Sequence, residues 1–227
     1  MREKMRRVYS RGREQFFRIR QLFRIRREGG KVNKTDNGKL QAFLEQHFSP
    51  ARWRHSQGVA LAARKMALRC GVEPSRAELA GWLHDYARDL EERVLLEIGE
   101  ENGFVTHPVE RWVPELLHGP VGAYLVQRDL GINDAEVLRA IAVHTLGAEE
   151  MSILDKIVYI ADLIEEGRDY PGVEKLRALA EEDLDRALVA CFDQTLRYCL
   201  ERGFYLHPRT LEARNAALFA LRHNVVK

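Results

Sequence analysis

Four histidines and two aspartates carry the chemistry open to this sequence: His55, the adjacent pair His84-Asp85, His118, His144 and Asp162. Mixed imidazole and carboxylate donors suit divalent Fe, Mn, Co, Ni or Zn better than Mg or Ca. An aspartate beside a histidine adds a bridge, because one carboxylate can span two ions about 3.5–4 Å apart while the ring binds one of them. Two such ions and two aspartates leave net positive charge that attracts phosphate oxygens, and a hydroxide held by the pair can attack phosphorus in line. That chemistry is phosphoester hydrolysis. Singly these residues mean little, since a lone helical histidine is usually structural or exposed and a lone aspartate is usually solvated. Together they carry weight, because each punctuates or ends an apolar segment where helix faces can converge, and buried polar groups in that number need mutual satisfaction.

The elements that must position them read as helices from Lys39 onward, with no convincing alternating strand. Arg52 to Cys70 carries Val59, Ala60, Ala63, Met66 and Ala67 at helical spacing, with His55 in its first turn and Gly71 as a C-terminal cap. Ser75 and Glu78 form the pattern of a capping box for the next helix. Ala80, Leu83 and Ala87 line one face of that helix, and His84-Asp85 lie two turns in. Pro114 to Asp129 reads as a helix interrupted at Gly119-Pro120, directly after His118. Asp134 to Thr145 reads as a helix that ends at His144. Ser152 to Glu166 is the most apolar stretch, with Asp162 inside it, where an unpaired carboxylate would be costly. Helices near Leu184 to Glu201 and Arg209 to Arg222 complete an all-α bundle.

At 227 residues and 45% hydrophobic content, the chain can bury one large core. The net charge of +2 conceals a division, because residues 1 to 31 hold twelve Lys/Arg against three Glu, leaving 24 basic and 31 acidic groups elsewhere. We therefore expect a basic extension over residues 1–35 and one domain over 36–227, with the Gly29-Gly30 pair and the polar run to Gly38 marking the boundary. The acidic body is not expected to bind DNA. The extension repeats Phe-Arg-Ile-Arg at 17–20 and 23–26, which reads as an amphipathic arm for RNA or an anionic membrane, or as an unstructured extension, a targeting peptide or residues ahead of the true start. Cys70, Cys191 and Cys199 form no CxxC pair and read as reduced core residues, which places the protein in the cytoplasm. No stretch approaches the roughly 20 apolar residues that span a bilayer.

Four long strings go beyond the spacing of the ligands: GWLHDYARDL at 81–90, LLHGPVGAYL at 116–125, AIAVHTLG at 140–147 and MSILDKIVYIADLIEEGRDYPGV at 151–173. On these strings the chain resembles the HD-domain superfamily over roughly residues 40–215, and within it the YqeK group, which resembles symmetrical dinucleoside-tetraphosphate hydrolases. The resemblance implies an HD-domain helical bundle that cleaves diadenosine tetraphosphate into two ADP at a di-iron-type centre. His55, His84, Asp85 and Asp162 would hold one metal, and Asp85 would bridge to a second, completed by His118 and His144. Arg88 stands where such hydrolases often carry Lys and would clamp phosphate, a task to which a planar guanidinium is suited.

Lys156 and Arg168 are further candidates for neutralising a polyphosphate, although Lys156 is one residue off the Asp155, Tyr159, Asp162 face. Thr145 and Tyr86 adjoin ligands and can orient them. Leu146 replaces the second Thr of a His-Thr-Thr-Gly segment, which alters the polarity of the pocket. His47, His107, His207 and His223 lie outside the pattern and read as structural or exposed. Two other functions share these features. One is a phosphohydrolase of another nucleotide, such as a nucleoside phosphate, a guanosine alarmone or a cyclic nucleotide. The other is a non-catalytic helical module stapled by metal, with a basic RNA- or membrane-binding arm. Monomer and homodimer both remain open.

Overall fold

Small side chains set the first crossing. Helix α2 (Pro50–Cys70) buries Val59, Ala60, Ala63, Met66 and Ala67 along one stripe, and helix α3 (Pro74–Leu83) lies against it so closely that a Cβ on Gly81 would stand 2.7 Å from the Ala60 Cα. The computed structural model describes residues 34–223, and every regular element among them is helical. The arm at residues 1–33 lies outside the described residues. Helix α1 (Lys34–His47) already runs across the polar segment at Gly38. After α3 come α4 (Glu92–Glu101), α5 (Pro108–Trp112), a 3-10 turn (Pro114–Leu117), α6 (His118–Leu130) and α7 (Ala135–Val143). The chain continues through α8 (Ile153–Ile164), α9 (Val173–Glu182), α10 (Leu184–Arg202) and α11 (Pro208–His223).

Helix α8 forms the axis of the bundle. Leu154, Ile157, Val158, Tyr159, Ile160 and Ala161 are all buried, and α2, α3, α7, α9 and α10 pack around them. Such a helix is apolar on most sides because its neighbours cover most of its surface, leaving Ile153 exposed and Lys156 and Leu163 partly so. A capping box starts it, with the Asp155 N–H donating to Ser152 Oγ at 3.1 Å and the Ser152 N–H donating to Asp155 Oδ2 at 2.8 Å. Tyr159 stacks obliquely on Phe192 of α10, their ring centroids 4.5 Å apart. A second, smaller cluster of Ala87, Leu95, Ile98, Leu117, Val121 and Leu125 ties α4 and the 3-10 turn to α6.

Several local readings need correction. Helix α2 begins at Pro50 behind a Ser49 cap, because proline suits the first helical position, and this puts His55 in the second turn. The Ser75–Glu78 capping box does not form: Pro74 opens α3, the Glu73 side chain accepts from the Ser75 N–H, and Glu78 pairs with Arg64. Nor do His84 and Asp85 lie within α3. The helix ends at Leu83, and the chain tightens into successive i+3 turns, with the Tyr86 N–H on Leu83 O at 3.0 Å and the Arg88 N–H on Asp85 O at 3.0 Å. The break near His118 comes before it rather than after. Pro120 falls in the first turn of α6, where a missing N–H leaves no bond unmade.

Cys70, Cys191 and Cys199 are free. Cys191 is fully buried, and burial pushes its thiol up to about 12, as expected of a packing residue. No helix among the described residues is long and apolar enough to cross a membrane.

Candidate metal centre

The six donors meet where the C-terminal end of α3, the start of α6, the end of α7 and the last turns of α8 face α2. His55 Nε2 is 3.2 Å from His84 Nε2 and 3.0 Å from Asp162 Oδ1. His118 Nε2 is 3.0 Å from His144 Nε2. Asp85 lies between the two groups and divides its oxygens. Oδ2 faces His84 at 3.4 Å and His55 at 3.7 Å, whereas Oδ1 faces His118 at 3.2 Å and His144 at 3.6 Å.

The rings are aimed by their other nitrogens. Nδ1–H donates to Gly81 O at 2.7 Å in His84, to Glu115 O at 2.6 Å in His118 and to Ile141 O at 2.7 Å in His144. Each of these carbonyls is three residues back. His55 Nδ1–H donates instead to the Glu165 carboxylate, at 3.1 Å. In the neutral form with Nδ1 protonated, which metal binding requires, the rings would turn Nε2 lone pairs toward one another at 3.0–3.2 Å, an arrangement that a cation between them relieves. The donor set therefore fits divalent metal. His55, His84 and Asp162 form one group whose ligand atoms all lie within 4.8 Å of each other, and His84, Asp85 and His144 form another.

Electrostatics keep both aspartates ionised and His118 neutral, but hold the proton on His55. Burial works to raise the Asp85 carboxyl, but the surrounding histidines, His84 foremost, outweigh it and hold the group well below the usual carboxylate range. Asp162 is likewise driven down against its burial by His55, His84 and Arg168. Burial lowers His118 despite its contact with Asp85, which favours the neutral ring that a metal requires. In His55 burial is outweighed by Asp162 and Glu165, and the pKa is raised to about 9.

Of the phosphate candidates, Arg168 reaches the centre, donating from Nη2 to Asp162 Oδ1 at 2.6 Å and from Nε to Asp162 O at 2.8 Å. Arg88 pairs with Glu115, whose carbonyl holds His118, so it stands at the edge of the site. Lys156 is not brought to the centre. It lies two turns before Asp162, about 9 Å back along α8 at 1.5 Å per residue, and donates to Asp185 at 2.6 Å beside a separate cavity of about 370 Å³. Thr145 Oγ1 sits 3.0 Å from His118 Nε2 and 3.2 Å from His144 Nε2. Tyr86 packs into both apolar clusters and faces Asp129 and Arg128 rather than a ligand. His107 and His207 each accept a backbone N–H at the head of a helix, which explains their place before prolines.

Sequence reasoning missed two side chains at the centre. Arg52, three residues before His55, pairs with Asp85, while its buried Nε lies 3.6 Å from Asp89, beyond hydrogen-bond reach. Its spacing of one turn from His55 was the available signal. Glu165, three residues after Asp162, is buried against His55. A carboxylate one turn beyond a ligand on so apolar a helix could have been flagged in the same way.

Helices that bring histidines together around a His-Asp pair fit the HD class, and the family model described as HD domain matches residues 52–167. The chain belongs to the HD-domain family, whose members bind divalent metals. It is 37% identical over 169 residues to a symmetrical bis(5'-nucleosyl)-tetraphosphatase of Bacillus subtilis, an alignment covering 74% of this chain and 90% of that protein. A relative of the same name from Halalkalibacterium halodurans is 36% identical over 81% of this chain and 97% of its own length. A crystal structure from Clostridium acetobutylicum, described as a predicted HD superfamily hydrolase involved in NAD metabolism, superposes with a TM-score of 0.77 at 37% identity, covering 83% of this chain and 98% of that one.

Proposed function

We propose that this protein hydrolyses dinucleoside tetraphosphates, diadenosine tetraphosphate above all, symmetrically into two nucleoside diphosphates at a centre of two divalent cations. The observation that carries this reading is the division of the Asp85 oxygens between the two histidine groups, in a chain similar over most of its length to relatives named for that activity. His55, His84, Asp162 and Asp85 Oδ2 would hold one ion; Asp85 Oδ1, His118 and His144 would hold the other. Iron is the proposed metal, and the same donors also accept Mn, Co, Ni or Zn. When bound, the pair supplies Lewis acidity toward the phosphate oxygens and the attacking water.

The remaining work falls to the chain. The Nδ1 hydrogen bonds keep the rings in one tautomer and orientation. Arg168, anchored on Asp162, brings a guanidinium edge to the rim of the centre. Arg88 exchanges Glu115 for phosphate oxygens, a favourable trade because phosphate offers more negative charge in a bidentate geometry. Lys156 has no part in this reading. Free thiols and a nucleotide substrate fit a cytoplasmic enzyme.

The decisive experiment incubates Fe²⁺- or Mn²⁺-loaded protein anaerobically with diadenosine tetraphosphate and resolves the nucleotides by chromatography. ADP as sole product is expected. ATP with AMP would overturn symmetrical attack, and metal-loaded protein without turnover would direct the assignment to another phosphoester. For Arg88→Ala we expect a loss of about 10²- to 10³-fold in kcat/KM with metal content unchanged, the scale for removing one transition-state charge partner. Lost metal would instead make Arg88 structural.

A further inference from the structure

We propose that Arg177 is a positioning residue for the metal centre: its guanidinium fixes the 164–168 turn, which holds Glu165 on His55 and Arg168 on Asp162. The inference rests on the metal centre proposed above and not on the identity of the nucleotide.

The starting point is how α8 ends. Any helix leaves its last four carbonyls without intrahelical partners, and a glycine in the left-handed conformation is the common remedy. Here the chain leaves the helix through Glu165 in an extended conformation, φ −50° and ψ 157°. Other groups take the carbonyls one by one. Ala161 O accepts the Glu165 N–H at 3.0 Å. Asp162 O accepts Arg168 Nε at 2.8 Å, and Leu163 O accepts the Tyr170 hydroxyl at 2.8 Å. Ile164 O accepts Arg177 Nε at 2.9 Å.

Arg177 does more than close the last carbonyl. From α9, its Nη2 donates to Glu165 O and to Arg168 O, both at 2.8 Å, with Glu166 O at 3.5 Å. Nη1 pairs with Glu174, which steadies the guanidinium from its own helix. One planar group thus ties the helix end to both sides of the turn, a task for which the fixed fork of arginine is suited and the single ammonium of lysine is not. Its charge also lies at the helix C-terminus, where a cation is favoured.

What the turn carries gives this clamp its functional meaning. Glu165 accepts from His55 Nδ1 at 3.1 Å and from the Gly167 N–H at 2.6 Å. Arg168 reaches Asp162 Oδ1 at 2.6 Å. Two of the six donors are therefore aimed by side chains whose backbone Arg177 holds, while Arg177 itself touches none of the six.

The test is calorimetric titration of the full chain with Mn²⁺ alone. Arg177→Ala is expected to weaken Mn²⁺ binding by about tenfold, within the range for groups that orient metal ligands, and Arg177→Lys to fall between it and wild type. In a Glu165→Ala/Arg168→Ala background, adding Arg177→Ala should change affinity by less than about twofold, because the side chains it acts through are gone. Unchanged Mn²⁺ affinity in folded Arg177→Ala, or the same fold-loss in both backgrounds, would overturn the proposal and leave Arg177 a residue of the fold. If the alanine variant does not fold, Arg177→Lys is compared in the same two backgrounds and read in the same way. Wild type that takes up no Mn²⁺ overturns the metal centre and this inference with it.

Discussion

Asp85→Ala is expected to reduce bound metal from two ions to fewer and to lower turnover by more than about 10³-fold, on the scale of removing a central electrostatic group from an active site. The reason is the divided carboxylate. No other of the six donors faces both histidine groups through separate oxygens, so one substitution would strip a ligand from both proposed ion positions. His55→Ala, in contrast, removes a donor from one position only. Elemental analysis and steady-state assay on the same preparation check the expectation, and an alanine variant with full metal content and full rate would remove Asp85 from the bridging position. Asp85→Asn sharpens the comparison, since it keeps an oxygen and the side-chain shape but gives up the charge that His84, His118 and His144 stabilise.

The second large effect comes from a residue with no side chain. Replacing glycine with alanine inside a helix ordinarily stabilises it by about 1 kcal/mol through backbone entropy. At Gly81 the sign should reverse. The new Cβ would stand 2.7 Å from Ala60 Cα, 2.8 Å from Ala60 N and 3.0 Å from Val59 C, all backbone atoms that cannot rotate away. Helices α2 and α3 must then part, at an overpacking cost of about 1–3 kcal/mol and a fall in melting temperature of roughly 2–12 °C for a chain of this size. These two helices bring His55 and His84 to 3.2 Å, and His84 takes its aim from the Gly81 carbonyl. Gly81→Ala should therefore also lose about 10²-fold in kcat, as misplacement of catalytic groups by about 1 Å can. A variant with wild-type melting temperature and kcat would show that the crossing has slack.

The fold was legible wherever local pattern and tertiary burial agree. The stripe from Val59 to Ala67 and the Gly71 cap gave α2, and the apolar run after Ser152 gave α8. Helices α4 and α9 were not singled out, although each carries an apolar stripe at helical spacing, Leu95 with Ile98 and Leu176 with Ala180. Proline misled at both ends of its range. Pro50 and Pro74 start helices slightly ahead of the residues that seemed to cap or open them, and Pro120 sits harmlessly in a first turn. All six donors converge, because each punctuates or ends an apolar segment whose packing turns it inward. Lys156 could be recognised as doubtful from its offset by one residue from the Asp162 face. Glu165 and Arg52 could be flagged by their one-turn spacing from Asp162 and His55, but their partners lie 110 and 33 positions away, and only the fold decides which they meet.

The two histidine groups are alike in donor count at first sight, yet one ring differs from the other three. His84, His118 and His144 lean on peptide carbonyls, whereas His55 leans on the anionic Glu165. A carboxylate behind an imidazole pushes electron density toward the far nitrogen and makes it the stronger base. The same side of the centre also has the Asp162 oxygen, for which the His118 and His144 side has no counterpart. The centre is therefore electronically lopsided. In the proposed two-ion centre, an ion on the Glu165 side would have the more electron-rich surroundings, and one beside His118 and His144, with fewer anionic donors, would be the stronger Lewis acid.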